Sequence, residues 1–233
     1  MKQLLLATPT FSAPEPRWRG CVDRTVAALK NYDVNGTVTD PRDSHIGRAR
    51  NVISSRAVRE GYGALFFVDA DEIWPAQDAV ACVLAVLDGD ADIAAAPVAL
   101  KRLDEDGTSP CNIDFEPGDM SDGVYVGPTW EIAKRPFGRF RRAGAGFMCI
   151  SGKLLHDLSD AWPDLFYMNA CAVGTGPGFA LFDSMIIGKR WLPEDWSFCH
   201  RAQMYGATLR LLLDADVSHV GPFDYKTRIK RRT

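Results

Sequence analysis

The sequence predicts an α/β protein whose mostly parallel, doubly wound central sheet is flanked by helices. Three observations point there. Short apolar runs alternate with amphipathic stretches over the first hundred residues. Two of the runs, KQLLLA (2–7) and ALFFV (64–68), are apolar at successive positions, as strands buried on both faces are. Both end in polar or chain-breaking residues, TPT and DADE, at the carboxyl edge of such a sheet, where ligands gather.

The elements follow in order. After KQLLLA, Val22, Val26 and Leu29 set a helical stripe over 20–32, and GTVTD (36–40) is a second strand. Ala49, Val52, Ile53 and Ala57 line one face of a helix over 47–60, which leads into ALFFV. Pro75 opens a helix to about Leu87, with Ala79, Val80, Val83 and Leu87 inward, and ADIAAAPVAL (91–100) is the next strand. Residues 101–140 show no lasting period and read as a long loop. GFMCI (146–150) is a returning strand into a helix over 153–158, and 160–193, with GTGPGFALF, reads as a glycine-rich loop. EDWSFCHRAQMYG (194–206) is a helix with acids in its first turn and a glycine stop, followed by the strand LRLLL (209–213).

Composition narrows the classes. A chain of 233 residues suits one α/β domain, with a nucleotide-binding half over about 1–100, an acceptor-binding half over 101–225 and a basic tail over 226–233. The net charge of -3 gives no general attraction to nucleic acid. Six cysteines lie far apart without a CxxC pair, which fits free thiols in a reducing cytoplasm. The apolar run in MKQLLLATPT is short for a signal peptide, and no stretch approaches the ~18 apolar residues of a membrane span.

The chemistry concentrates at GALFFVDADEIWP (63–75). Continued strand alternation would put Asp69 and Asp71 on one side and Ala70 on the other. Hard carboxylate oxygens in that pattern suit Mg²⁺ or Mn²⁺, which keep further sites for water and phosphate. Acids capping the next helix are the competing reading. The letters recur at Asp214, Ala215 and Asp216, but the first copy follows the stronger strand and is the better metal candidate.

Five blocks in order carry a resemblance: KQLLLATPT, IGRARN (46–51), FFVDADEIWP, GAGFMCI (144–150), and LPEDWSFCHRAQMYGA (192–207) with HVG (219–221). Together they resemble the GT-A fold glycosyltransferases, closest to small bacterial and phage-type members of the family-2-like and Anp1-like groups. The resemblance implies a metal-dependent transferase that moves a sugar from a UDP- or GDP-sugar donor to a saccharide or other hydroxyl acceptor, as in polysaccharide biosynthesis. It implies Mn²⁺ or Mg²⁺ at Asp71 and His219, with Asp69 on the ribose or on the metal through water. Thr8, Pro9 and Ala70 would line the nucleotide pocket, and Arg48, Arg50 and Asn51 would meet the pyrophosphate at a helix start. For both arginines a solvated helix face is the alternative.

Sugar transfer passes through an oxocarbenium-like state, and inversion needs a base on the acceptor hydroxyl. Asp195 is the candidate base, ionised at neutral pH if its pKa lies near the reference of about 3.9, with Glu194 orienting the acceptor or Asp195 itself. Gly144 and Gly146 would permit close approach to the sugar, and Trp196, Trp191 or Trp130 could stack on it, though core packing is tryptophan's commoner fate. His45, His156 and His200 are assigned no chemistry. A haloacid dehalogenase-like phosphatase also uses DxD, but on a first strand. Sugar nucleotidyltransferases open on a GxGxR loop that is absent here, and a non-catalytic sugar- or nucleotide-sugar-binding protein on the same fold is the remaining alternative.

Overall fold

A computed structural model of the chain describes residues 1–105, 107, 109–115, 120–121, 124–125, 130–132, 135–171, 174–227 and 230–231. Eight strands build the central sheet: β1 (Lys2–Ala7), β2 (Val34–Thr39), β3 (Ala64–Val68), β4 (Ile93–Ala95), β5 (Trp130–Ile132), β6 (Arg135–Arg139), β7 (Phe147–Ser151) and β8 (Leu209–Leu212). Their spatial order is β2-β1-β3-β7-β4-β8-β6-β5. β1 pairs in parallel with β2 and β3, and β8 with β4; β7 is antiparallel to β3 and β4, and β6 to β8 and β5. Thus β6 and β7 alone in this sheet run against the rest.

The helices α1 (Trp18–Leu29), α2 (Ile46–Arg59), α3 (Ala76–Leu87), α4 (Gly152–Ala161) and α5 (Glu194–Tyr205) cover both faces. The two-residue period of the strands sorts their side chains between two cores. Leu4, Leu6, Phe66, Val68, Phe147 and Cys149 face α1 and α3, with Trp18, Val22, Leu29, Ala79 and Val83. Leu5, Ala7, Leu65, Phe67, Met148 and Ile150 face α2, α4 and α5, with Ile53, Ala57, Leu154, Leu158, Phe198 and Ala202. Burial on both sides is why these strands read as continuous apolar runs.

Several expectations change in the structure. The strand expected over 91–100 pairs in the sheet only over Ile93–Ala95, because Pro97 has no N–H for a ladder. Pro75 precedes α3 in extended conformation rather than occupying its first turn. The stretch read as a loop over 101–140 supplies β5 and β6 to the sheet, although β6 carries Pro136 and Gly138. The glycine-rich segment 160–193 forms two hairpins, Phe166–Cys171 with Gly174–Phe179 and Met185–Ile187 with Arg190–Leu192. Gly188 and Lys189, with φ of 54° and 68°, close the second, the positive-φ pair that a two-residue hairpin turn requires.

Cys21, Cys82, Cys111, Cys149 and Cys199 are free thiols. Among the described residues no helix is long and apolar enough to cross a membrane.

The centre of the sheet rests on Phe147, whose ring meets Phe66 edge-on at 4.9 Å and Trp74 at 5.7 Å. Phe147→Ala is expected to cost about 3–5 kcal/mol, measured as a lower midpoint in urea denaturation.

Candidate active site

The carboxyl ends of β1 and β3 border a cleft of about 460 Å³ lined in part by Pro9, Thr10, Phe11, Asp69, Ala70 and Asp71. The antiparallel strand β7 runs beside β3 at this end of the sheet. Phe147 pairs with Val68, so the residue before it, Gly146, lies beside Asp69, and its carbonyl accepts the Asp69 N–H at 2.8 Å. A Cβ at Gly146 would stand 2.2 Å from Glu72 Oε1 and 3.0 Å from Asp69 Oδ2; glycine is needed because two acids press against the backbone.

The strand does not continue through the acids. β3 ends at Val68, the chain turns, and Glu72–Ile73 pairs with Ser218–Val220 instead. Strand alternation therefore does not govern Asp69 and Asp71, and each finds different partners. Asp69 accepts from the Arg50 guanidinium at 3.0 Å. Asp71 accepts from Lys101 Nζ at 2.5 Å, with His219 Nε2 3.3 Å from the same oxygen. The sequence places no base beside these acids; the fold brings three, Arg50, Lys101 and His219. Glu72 is 1% exposed, and neither of its carboxylate oxygens has a hydrogen-bond partner among the described residues. Burial, with the charges of Asp69 and Asp71, raises its carboxyl well above the usual range, which favours the neutral form.

Arg50 lies in α2, whose first turn is capped by His45: its Nδ1 accepts the Arg48 N–H at 3.1 Å. The solvated alternative for Arg50 is overturned, since the residue is 3% exposed. Its guanidinium bridges Asp69 and Glu194 and lies 5.9 Å from the centre of the Phe67 ring. Burial disfavours its charge, but Asp69, Glu194 and Asp195 outweigh that and hold it protonated. Removing one partner of such a buried pair leaves the other charge uncompensated.

Glu194 and Asp195 begin α5. Asp195 is 7% exposed, accepts the Trp196 N–H at 2.7 Å through Oδ1, and directs Oδ2 toward Gly144, where a Cβ would be 3.6 Å away. Burial and the neighbouring Glu194 charge push its carboxyl up to about 6, against the pull of Arg50. The expectation of an ordinary aspartate pKa is corrected: desolvation dominates.

The remaining candidates separate. Thr8 is fully buried behind Pro9, its hydroxyl without a partner among the described residues. Arg48 pairs with Asp43, its Nε donating at 2.7 Å, and lines another pocket with Asn51 and Asp183. Asn51 donates to Asp183 at 2.9 Å and accepts the Phe182 N–H at 2.7 Å, tying that loop to α2. Neither Arg48 nor Asn51 lines the cleft beside Asp71. Trp196 lies under the Arg142 guanidinium, 5.6 Å away. Trp191 is 65% exposed, and the Trp130 side chain is outside those described. Asp216, in the second acidic triplet, pairs with Lys226. Sequence reading missed Glu72 and Lys101. Glu72 was visible as the third acid of the cluster, whereas Lys101 carried no local signal.

Among the described residues no group of three His, Cys, Asp or Glu side chains is placed to hold a metal ion. Asp71 and His219, 3.3 Å apart, are the two side chains that would hold one. His219 Nδ1 is 2.8 Å from the Ala99 carbonyl oxygen, which only accepts, so Nδ1 carries the proton. Nε2 faces Asp71 Oδ2 at 3.3 Å, the side on which an imidazole would offer its lone pair to a metal once that nitrogen carries no proton. Two such ligands would leave further positions of a bound ion to water.

No protein-family model matches the chain, and no curated protein does. The crystal structure of A197 from STIV superposes with a TM-score of 0.52 at 14% identity, over 100% of this chain and 98% of that one. The likeness is one of fold. A structure of GalNAc-T7 with UDP, GalNAc and Mn²⁺ gives a TM-score of 0.48 at 11% identity, over 98% of this chain and 45% of that one, and supports nothing further. The α/β class expected from the sequence, a mostly parallel sheet between helices, is the one observed.

The raised Asp195 pKa carries a stability consequence. Its folded value of about 6 exceeds the unfolded value, so the folded state binds the extra proton, and wild-type stability falls as pH rises through that window. Asp195→Asn removes the dependence. The variant is expected to melt at a higher temperature than wild type at pH 8, with the gap shrinking at pH 4.5, in parallel thermal denaturations.

Proposed function

We propose that the chain is a glycosyltransferase that moves a sugar from a nucleotide-diphosphate donor to an acceptor hydroxyl with inversion, using Asp195 as base. The observation that carries this reading is the single Arg50 guanidinium shared by Asp69, in the cleft, and Glu194, the neighbour of Asp195. It fixes the end that would hold the donor and the end that would activate the acceptor at one distance. Orientation of two reactants is the larger part of what such a reaction needs from a protein.

In this reading the donor's nucleoside enters along Pro9 and Ala70, and its diphosphate lies toward Asp71 and His219. A divalent ion held by those two side chains would offset the negative charge that develops on the departing diphosphate. Asp69, held by the Arg50 guanidinium, accepts a hydrogen bond from a donor hydroxyl. Asp195 Oδ2 takes the acceptor's hydroxyl proton as that oxygen forms its bond to the anomeric carbon. The bond from that carbon to the phosphate oxygen breaks on the opposite face, its electron pair leaving with the nucleoside diphosphate. A carboxylate with its pKa raised to about 6 is a stronger base than an exposed aspartate and is still mostly ionised at neutral pH. Glu194, held by Arg50, fixes the first turn of α5 and so the position of Asp195.

Asp195→Asn is expected to bind UDP or GDP as wild type does and to lose about 10²–10⁴-fold in turnover, measured by calorimetry and by nucleoside-diphosphate release. Wild-type kcat is expected to rise with pH and reach half its plateau near 6, because the base must be ionised; a flat profile from pH 5 to 8 would remove Asp195 from the role. Asp71→Ala, or excess chelator, is expected to abolish donor turnover, and undiminished turnover in chelator would refute the ion's part.

A further inference from the structure

Lys101 is a strong cation beside the cleft acid Asp71 that neither motif nor family reading uses. Its Nζ donates to Asp71 Oδ2 at 2.5 Å, the oxygen that His219 Nε2 approaches at 3.3 Å. Its placement belongs to the fold. Val220 N–H donates to the Asp71 carbonyl at 2.7 Å, and His219 pairs in register with Glu72. His219 Nδ1 bonds Ala99, two residues before Lys101, so the imidazole ties the Lys101 segment to the acidic turn. The lysine stem lies over Gly221, where a Cβ would be 3.4 Å from Lys101 Cδ. Three segments distant in sequence thus aim one ammonium at one carboxylate oxygen.

We propose that Lys101 is the resident cation of this site: it occupies Asp71 in the ligand-free protein, yields that oxygen to an arriving divalent ion, and then pairs with the donor's diphosphate. The inference rests on the reading of the cleft as a nucleotide-diphosphate site. Like charge requires the exchange, because an ion takes a carboxylate oxygen at about 2.1 Å, where it would press against an ammonium on the same atom. Charge also gives the lysine its second place. Asp71 and a diphosphate together carry one more negative charge than a divalent ion neutralises, and the released ammonium supplies the difference. At 37% side-chain exposure Lys101 is free to swing on its four-carbon stem.

The test uses binding alone. Mn²⁺ is titrated into wild type, Lys101→Met and Asp71→Asn without nucleotide, followed by the electron paramagnetic resonance signal of the free ion. UDP and GDP are then titrated calorimetrically at saturating Mn²⁺. Lys101→Met is expected to bind Mn²⁺ on the order of tenfold more tightly than wild type and the preferred nucleotide on the order of tenfold more weakly, while Lys101→Arg keeps nucleotide affinity. Unchanged or weaker Mn²⁺ binding in Lys101→Met, or unchanged nucleotide binding, overturns the proposal. If wild type binds Mn²⁺ and Asp71→Asn does not, the ion site stands whatever Lys101 does. If neither Mn²⁺ nor nucleotide binds wild type, the reading of the cleft fails and Lys101 with it.

Discussion

The site depends on one buried guanidinium. Arg50 stands where several carboxylates converge, and without it Asp69 and Glu194 would face one another's charge in a poorly solvated space. Such an arrangement is costly to assemble, because two kinds of charge are taken out of water and repaid only by close hydrogen-bonded contact. Its return is geometric. The turn after β3 and the first turn of α5 belong to distant parts of the chain, and the Arg50 fork holds them in one register while the sheet behind fixes α2. The same charge tempers the rise of the Asp195 pKa that burial alone would impose.

Around that centre the acids are differentiated by environment rather than by type. Asp69 meets a buried arginine, Asp71 an exposed lysine and an imidazole, Glu72 no partner among the described residues, and Asp195 a half-compensating field. Desolvation pushes Glu72 and Asp195 toward the neutral form, whereas hydrogen bonds from His219 and Lys101 outweigh burial at Asp71 and hold it well below the usual range. One stretch of four residues and one helix start therefore hold carboxyls shifted in opposite directions. That separation is what acid–base and ion-binding chemistry in one cleft requires.

Much of the sheet was legible because its strands are buried on both faces. KQLLLA and ALFFV carry that burial in their composition, and α2 and α3 carry their inward stripes. β6 was not legible: Pro136 and Gly138 argue against a strand, and its pairing with β5 and β8 is set by neighbours far along the chain. The hairpin Phe166–Cys171 with Gly174–Phe179 hid for a related reason, since backbone pairing needs no side-chain signature. In the site, the acids were visible as letters, but their partners were not. Arg50 lies 19 residues from Asp69 and 144 from Glu194, and Lys101 lies 30 from Asp71. The raised pKa of Asp195 is a property of its burial by the whole of α5's packing, which no local pattern encodes.

The account turns on whether Arg50 and burial together poise Asp195. Carbon-13 NMR of the aspartate carboxyl groups, titrated from pH 3 to 9 in wild type and in Arg50→Gln, reads this directly. The account predicts that Asp195 titrates near 6 in wild type and at higher pH in the variant, where the compensating charge is gone. Titration near the ordinary value of about 3.9, with no response to Arg50→Gln, would contradict it.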